Sequence, residues 1–172
     1  MLKRGDIWVS AVLYIALGMI VITIILGAGL PLINKMRDRN TVLQTKTVMY
    51  SIDDNIKEVA SEGPGSKRFL SPINIEGGNL NINETEITWS MKTGNKLMEP
   101  NIEFEEGALI LSLDETSISK EYMANIKLRY DNIAILNLES EYGNPFSGTY
   151  SLLIEHSGSY VNDMPNITIK VS

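Results

Sequence analysis

Two patterns divide the chain. From Ile7 to Asn34 no residue is charged, whereas from Ser66 onward apolar and polar residues alternate in short runs. At a helical rise of about 1.5 Å per residue, the first stretch spans roughly 40 Å as a helix, enough to cross a bilayer. Residues 32–61 then lack Gly but keep helical periodicity, with Met49, Ile52, Ile56 and Val59 spaced three, four and three apart on one stripe. Leu32, Met36, Val42 and Leu43 extend the stripe more loosely, and Lys46, Asp53, Asp54, Lys57 and Glu58 fall on the wet side. Glu62-Gly63-Pro64-Gly65 supplies a stop. The pattern predicts one long helix over 6–62, transmembrane over 7–34. Pro31 removes the hydrogen bond to the Gly27 carbonyl, so a kink or melted turn is expected between Gly27 and Pro31.

Beyond residue 62 the alternation is clear in Ile73-Asn74-Ile75, Leu80-Asn81-Ile82 and Ile167-Thr168-Ile169-Lys170-Val171, as for strands with one wet face. Nine strands are predicted: 68–75, 79–82, 86–91, 101–104, 108–113, 126–130, 133–138, 149–155 and 166–171. Gly77-Gly78, Thr93-Gly94-Asn95, Glu106-Gly107 and Asp131-Asn132 are read as turns, giving hairpins over 73–82 and 126–138. A helical turn is expected over 117–124. The fold class is α+β: a long N-terminal helix, then an antiparallel β-sandwich over 63–172.

Composition narrows the chemistry. The 172 residues are 44% hydrophobic and 21% charged, with one His and no Cys. Disulfides, thiol nucleophiles and cysteine-based metal sites are thereby excluded. Charge is uneven: residues 1–62 carry 7 Lys or Arg against 6 Asp or Glu, and residues 63–172 carry 8 against 15, so the β-domain holds −7 and the rest of the chain +1. Such a domain does not present the positive footprint that nucleic acid requires.

The start, Met1-Leu2-Lys3-Arg4-Gly5-Asp6, differs from a secretory signal, because the apolar core is about twice the usual 7–15 residues and no small-residue cleavage site follows it cleanly. Lys3-Arg4-Gly5, a polar residue and an uninterrupted apolar helix resemble the class III signal of archaeal type IV pilins and archaellins. The resemblance covers about the first 60 residues. It implies a leader over 1–5, recognised through Lys3 and Arg4 and cut between Gly5 and Asp6 by a prepilin peptidase. Gly5 would let the backbone extend into the peptidase site. The retained helix would carry assembly and membrane contacts at Ile7, Trp8, Val12, Ile15, Gly18, Val21, Ile25, Gly27, Gly29 and Pro31. Bacterial type IV pilins usually carry a glutamate early in this helix; Asp6 to Ser10 has none, which points to the archaeal branch. The run Ile52-Asp53-Asp54-Asn55-Ile56, Gly63-Pro64-Gly65-Ser66-Lys67-Arg68 and a strand ending at Gly77-Gly78 also resembles archaeal pilin-like proteins, implying a hairpin laid on the helix.

Two signals disagree on orientation. Lys35, Arg37, Arg39 and Lys46 follow the span and Lys3 and Arg4 precede it, so the positive-inside rule alone keeps the C-terminal domain in the cytoplasm. The leader makes sense only with the N-terminus inside, and that reading puts the β-domain outside the cell membrane. Asn83-Glu84-Thr85 and Asn166-Ile167-Thr168 are candidate N-glycosylation sequons there.

No constellation suggests catalysis. Adjacent Asp53 and Asp54 face different ways on a helix and read as solvated charge. Glu103, Glu105 and Glu106 lack the glycine loop of a calcium site. His156 has no nucleophile elbow to serve. Tyr142, Phe146, Tyr150 and Tyr160 are candidates for an adhesive surface or for sandwich core. The expectation is therefore no enzyme and no cofactor, but a structural subunit of an archaeal type IV pilus-like filament, partnered by the membrane, a prepilin peptidase and copies of itself or other pilin-like subunits. The alternative is a permanently anchored β-sandwich binding module that resembles an archaellum stator or envelope-binding protein.

Overall fold

A computed structural model of the chain describes residues 4–172, with side chains from residue 8 onward. One helix, α1 (Arg4–Glu62), is followed by eight strands: β1 (Lys67–Ile82), β2 (Glu86–Thr93), β3 (Glu103–Glu106), β4 (Leu109–Glu115), β5 (Tyr122–Arg129), β6 (Ile135–Ser140), β7 (Phe146–Val161) and β8 (Met164–Val171). The chain divides into two compact units, one ending at Arg37 and one covering Asp38–Ser172.

α1 passes through Pro31 without a break. The melted turn expected between Gly27 and Pro31 does not form. Proline removes only one backbone donor, and the glycines upstream leave room around its ring, so the surrounding ladder carries the helix across. At the other end Gly63 takes a left-handed φ of 87°, and its N–H donates to the Val59 carbonyl. The Ser66 hydroxyl donates to the Val59 and Gly63 carbonyls at 2.9 and 2.8 Å, so this terminus is closed by its own chain.

The β-strands form a single hydrogen-bonded sheet in the order β3-β4-β5-β2-β1-β7-β8-β6, antiparallel throughout except for β6 beside β8. Its inner face follows the predicted period of two: Ile87, Trp89 and Met91 on β2, Ile126 and Leu128 on β5, Leu152 and Ile154 on β7, and Ile167, Ile169 and Val171 on β8 are buried. Against them lie Met49, Ile52, Ile56 and Val59 of α1, all fully buried in the same core. Their burial contributes on the order of 6–12 kcal/mol before ordering costs. Of the looser upstream stripe only Val42 joins this core; Leu32, Met36 and Leu43 stay exposed.

Three sequence expectations change. Gly77-Gly78 is not a hairpin turn but an irregularity inside the continuous β1, where pairing with β7 slips between Ile75 and Leu80. The slip has a purpose in packing: Ile73 and Ile75 point inward before it and Leu80 and Ile82 after it, so the inward parity changes from odd to even. Gly78 admits no side chain, because a Cβ there would lie 2.6 Å from Trp89 Nε1 and 2.7 Å from the Ser90 carbonyl. Residues 126–138 are not a hairpin either. After the turn at Asp131-Asn132 the chain leaves β5, and β6 pairs with β8 in parallel. Finally, a tight turn in which the Glu121 N–H donates to the Ile118 carbonyl replaces the helical turn expected over 117–124, and β5 begins at Tyr122.

At one edge of the sheet the Leu136 N–H of β6 donates to the Glu84 carbonyl, 2.8 Å away in the β1–β2 turn. That bond satisfies one outward N–H near the start of the β6 edge. At the other edge β3 is only four residues long and carries Glu103, Glu105 and Glu106, which discourages pairing with another strand.

Candidate assembly surface

From Trp8 to Met36 every large apolar side chain of α1 is between 46% and 76% exposed. Trp8, Val12, Ile15, Val21 and Ile25 all lie in this sleeve, and none finds a partner within its own unit. It is the one helix among the described residues long and apolar enough to cross a membrane. Gly18, Gly27 and Gly29 have nothing within 4 Å of where a Cβ would sit, so the backbone there is open to close approach by another helix. The Thr23 hydroxyl donates to the Met19 carbonyl at 2.8 Å and so presents no unpaired donor on the sleeve. Of the residues expected to form a leader, Met1, Leu2 and Lys3 lie outside the described residues. Arg4, Gly5, Asp6 and Ile7 form the first turn of α1 in their backbone.

The upper part of α1 is held differently. Asp53, expected on the wet side, is buried: the Tyr130 hydroxyl donates to its Oδ1 at 3.2 Å, and Lys57 Nζ donates to Oδ2 at 2.7 Å. Burial, and then the Asp53 charge, push the Tyr130 phenol far above its ordinary pKa, which favours its role as the donor to Asp53. Asp38 accepts hydrogen bonds from Thr93 Oγ1 at 2.5 Å and Asn95 Nδ2 at 2.8 Å, tying the start of the 94–102 loop to the helix. Lys46 Nζ pairs with Glu106 at 2.5 Å, and the Tyr50 hydroxyl donates to the Glu106 carbonyl at 2.7 Å, tying β3 to the same helix. Past the helix end, Arg68 bonds Glu58 at 3.0 Å and also pairs with Glu62. Those two hydrogen bonds raise the guanidinium's pKa further.

Between these tethers lies an open groove of about 410 Å³. Val42 and Leu43 of α1, Leu97 and Met98 of the loop, Phe104 of β3 and Leu111 of β4 give it an apolar lining. Sequence reasoning missed it, although Leu97-Met98 in a loop and Phe104 in an acidic strand are apolar residues that the strand pattern leaves unexplained.

The remaining candidates fall apart geometrically. His156 is buried, its Nδ1 accepts from the Gly158 N–H at 3.0 Å, and its ring packs 5.4 Å from that of Tyr160. Tyr150 does gather Tyr142 and Phe146, its ring centroid lying 5.2 Å from each of theirs, but Tyr160 belongs with His156 instead. Glu103, Glu105 and Glu106 lie along an exposed strand, and no group of three His, Asp or Glu among the described residues could hold a metal ion. Asn83 is exposed in the β1–β2 turn, whereas Asn166 sits half-buried in β8, with its Nδ2 donating to Ser159 Oγ at 3.2 Å. No family model, curated protein or solved structure matches the chain.

Proposed function

We infer that the protein is a structural subunit of a type IV pilus-like surface filament of the archaeal kind. The precursor sits in the cell membrane with its N-terminus in the cytoplasm and the acidic β-domain outside, and it assembles through the apolar half of α1 once the leader is removed. The observation that carries this reading is the sleeve from Trp8 to Met36, apolar on every side and continuous with a helix docked on a β-domain. Outside a bilayer such a sleeve is stable only against other apolar helices, and burying ten of its large side chains would contribute on the order of 15–30 kcal/mol before the costs of association.

Cleavage between Gly5 and Asp6 fits the same reading. The bond lies in the first helical turn, where N–H groups have no intrahelical acceptor, so unwinding it for a peptidase costs little. Asp6 would then head the mature helix, where a carboxylate is favoured by the helix dipole.

Mass spectrometry of the protein from its native membrane and from sheared surface filaments tests this. The expected mature N-terminus is Asp6, and Gly5→Leu should accumulate uncut precursor and no filament subunit. An N-terminus intact at Met1, with the protein confined to detergent-soluble membrane, would instead make it the permanently anchored module.

A further inference from the structure

The groove between α1 and β3 is open although its walls are fixed. Lys46 and Tyr50 hold β3 through Glu106, and Asp38 holds the 94–102 loop through Thr93 and Asn95. Leu43 and Phe104 in the groove's lining are 49% and 45% exposed.

The chain itself supplies the matching chemistry. Its segment from Ile7 to Asn34 has no charge and requires an apolar neighbour. The large apolar side chains between Trp8 and Met36 are 46% to 76% exposed and find no cover within their own unit, so they are the largest uncovered apolar surface among the described residues. Of the charged residues in the lining, Lys46 and Glu106 are already paired with each other, and an uncharged guest brings no charge to compete with that pair.

We propose that this groove receives the apolar N-terminal helix of a second copy of the chain, holding it between the neighbour's α1 and β3. This rests on the filament reading and adds which surface of the folded domain grips the incoming helix.

Because the chain has no cysteine, introduced pairs report without background. Full-length protein carrying Met98→Cys together with Ile15→Cys, Val21→Cys or Ile25→Cys is assembled, oxidised and run on non-reducing gels after filaments are sheared. At least one of these pairs should give a ladder of linked subunits, and Ser157→Cys, exposed on β7, should give none with the same partners. Filaments visible by electron microscopy in which Ile15→Cys/Ile25→Cys links copies but no Met98 pair does would overturn the groove and leave the filament reading standing. Failure of the unaltered chain to enter any filament would overturn both. Phe104→Gln should lower filament yield about tenfold, the factor expected from one lost aromatic contact, with an unchanged thermal midpoint of the β-domain. Unchanged yield would place the contact elsewhere, on a lipid chain or another protein.

Discussion

The two halves of α1 are one helix built on opposite rules. From Asp38 to Glu62 its apolar residues form a stripe, Asp38, Lys46, Asp53, Lys57, Glu58 and Glu62 have polar partners, and Met49, Ile52, Ile56 and Val59 vanish into the core of the β-domain. From Trp8 to Met36 there is no stripe because there is no polar side to contrast with it, and every large side chain is exposed. An amphipathic helix states where its partner lies; a uniformly apolar one states only that its surroundings are apolar. The half from Asp38 onward is therefore covered by its own chain, whereas the other half is left uncovered by it.

Substitutions that separate the halves come first in size. Ile56→Ala removes a fully buried side chain between α1 and the sheet and should cost about 2–5 kcal/mol. Denaturant unfolding of the full chain in detergent reads this through Trp89, which is fully buried, in a Trp8→Phe background that removes the other indole. A loss below about 0.5 kcal/mol would mean that the upper half is not held by its stripe.

That stripe was legible in the sequence because both its period and its termination are local: three-and-four spacing, then Gly63-Pro64-Gly65. The alternation of the strands was legible for the same reason. What sequence reading lost was decided by partners distant along the chain. Gly77-Gly78 has the chemistry of a turn, yet β1 is paired with β2 on one side and β7 on the other, and those neighbours turn the glycines into a change of parity within one strand. Asp53 has the spacing of a wet-face residue, yet Tyr130, 77 positions later, reaches it inside the core. The groove combines a loop, an edge strand and a helix face, none of which is unusual alone.

Asp53 gives the next effect in size. Asp53→Ala leaves the Tyr130 hydroxyl buried without an acceptor, while Lys57, on the more exposed side, can turn to water. The expected loss is about 1–3 kcal/mol in the same unfolding experiment. Adding Tyr130→Phe removes the stranded donor and should recover part of it. If the double variant is as unstable as Asp53→Ala alone, the carboxylate acts by some route other than the tyrosine.

Ile22→Ala should do least, and it bears most directly on the contrast. Ile22 is 58% exposed in a part of the helix that belongs to the other compact unit, so its truncation leaves no cavity in the β-domain and should shift the Trp89 transition by less than about 0.5 kcal/mol. The same substitution is not silent for assembly if the sleeve is where copies meet: a side chain exposed in the single chain is then buried in the filament, and its loss should thin the yield of sheared filaments. Equal and negligible effects on both readouts would leave Ile22 facing lipid alone. A marked loss of domain stability would break the division of α1 into a half that its own chain folds and a half that other molecules must cover.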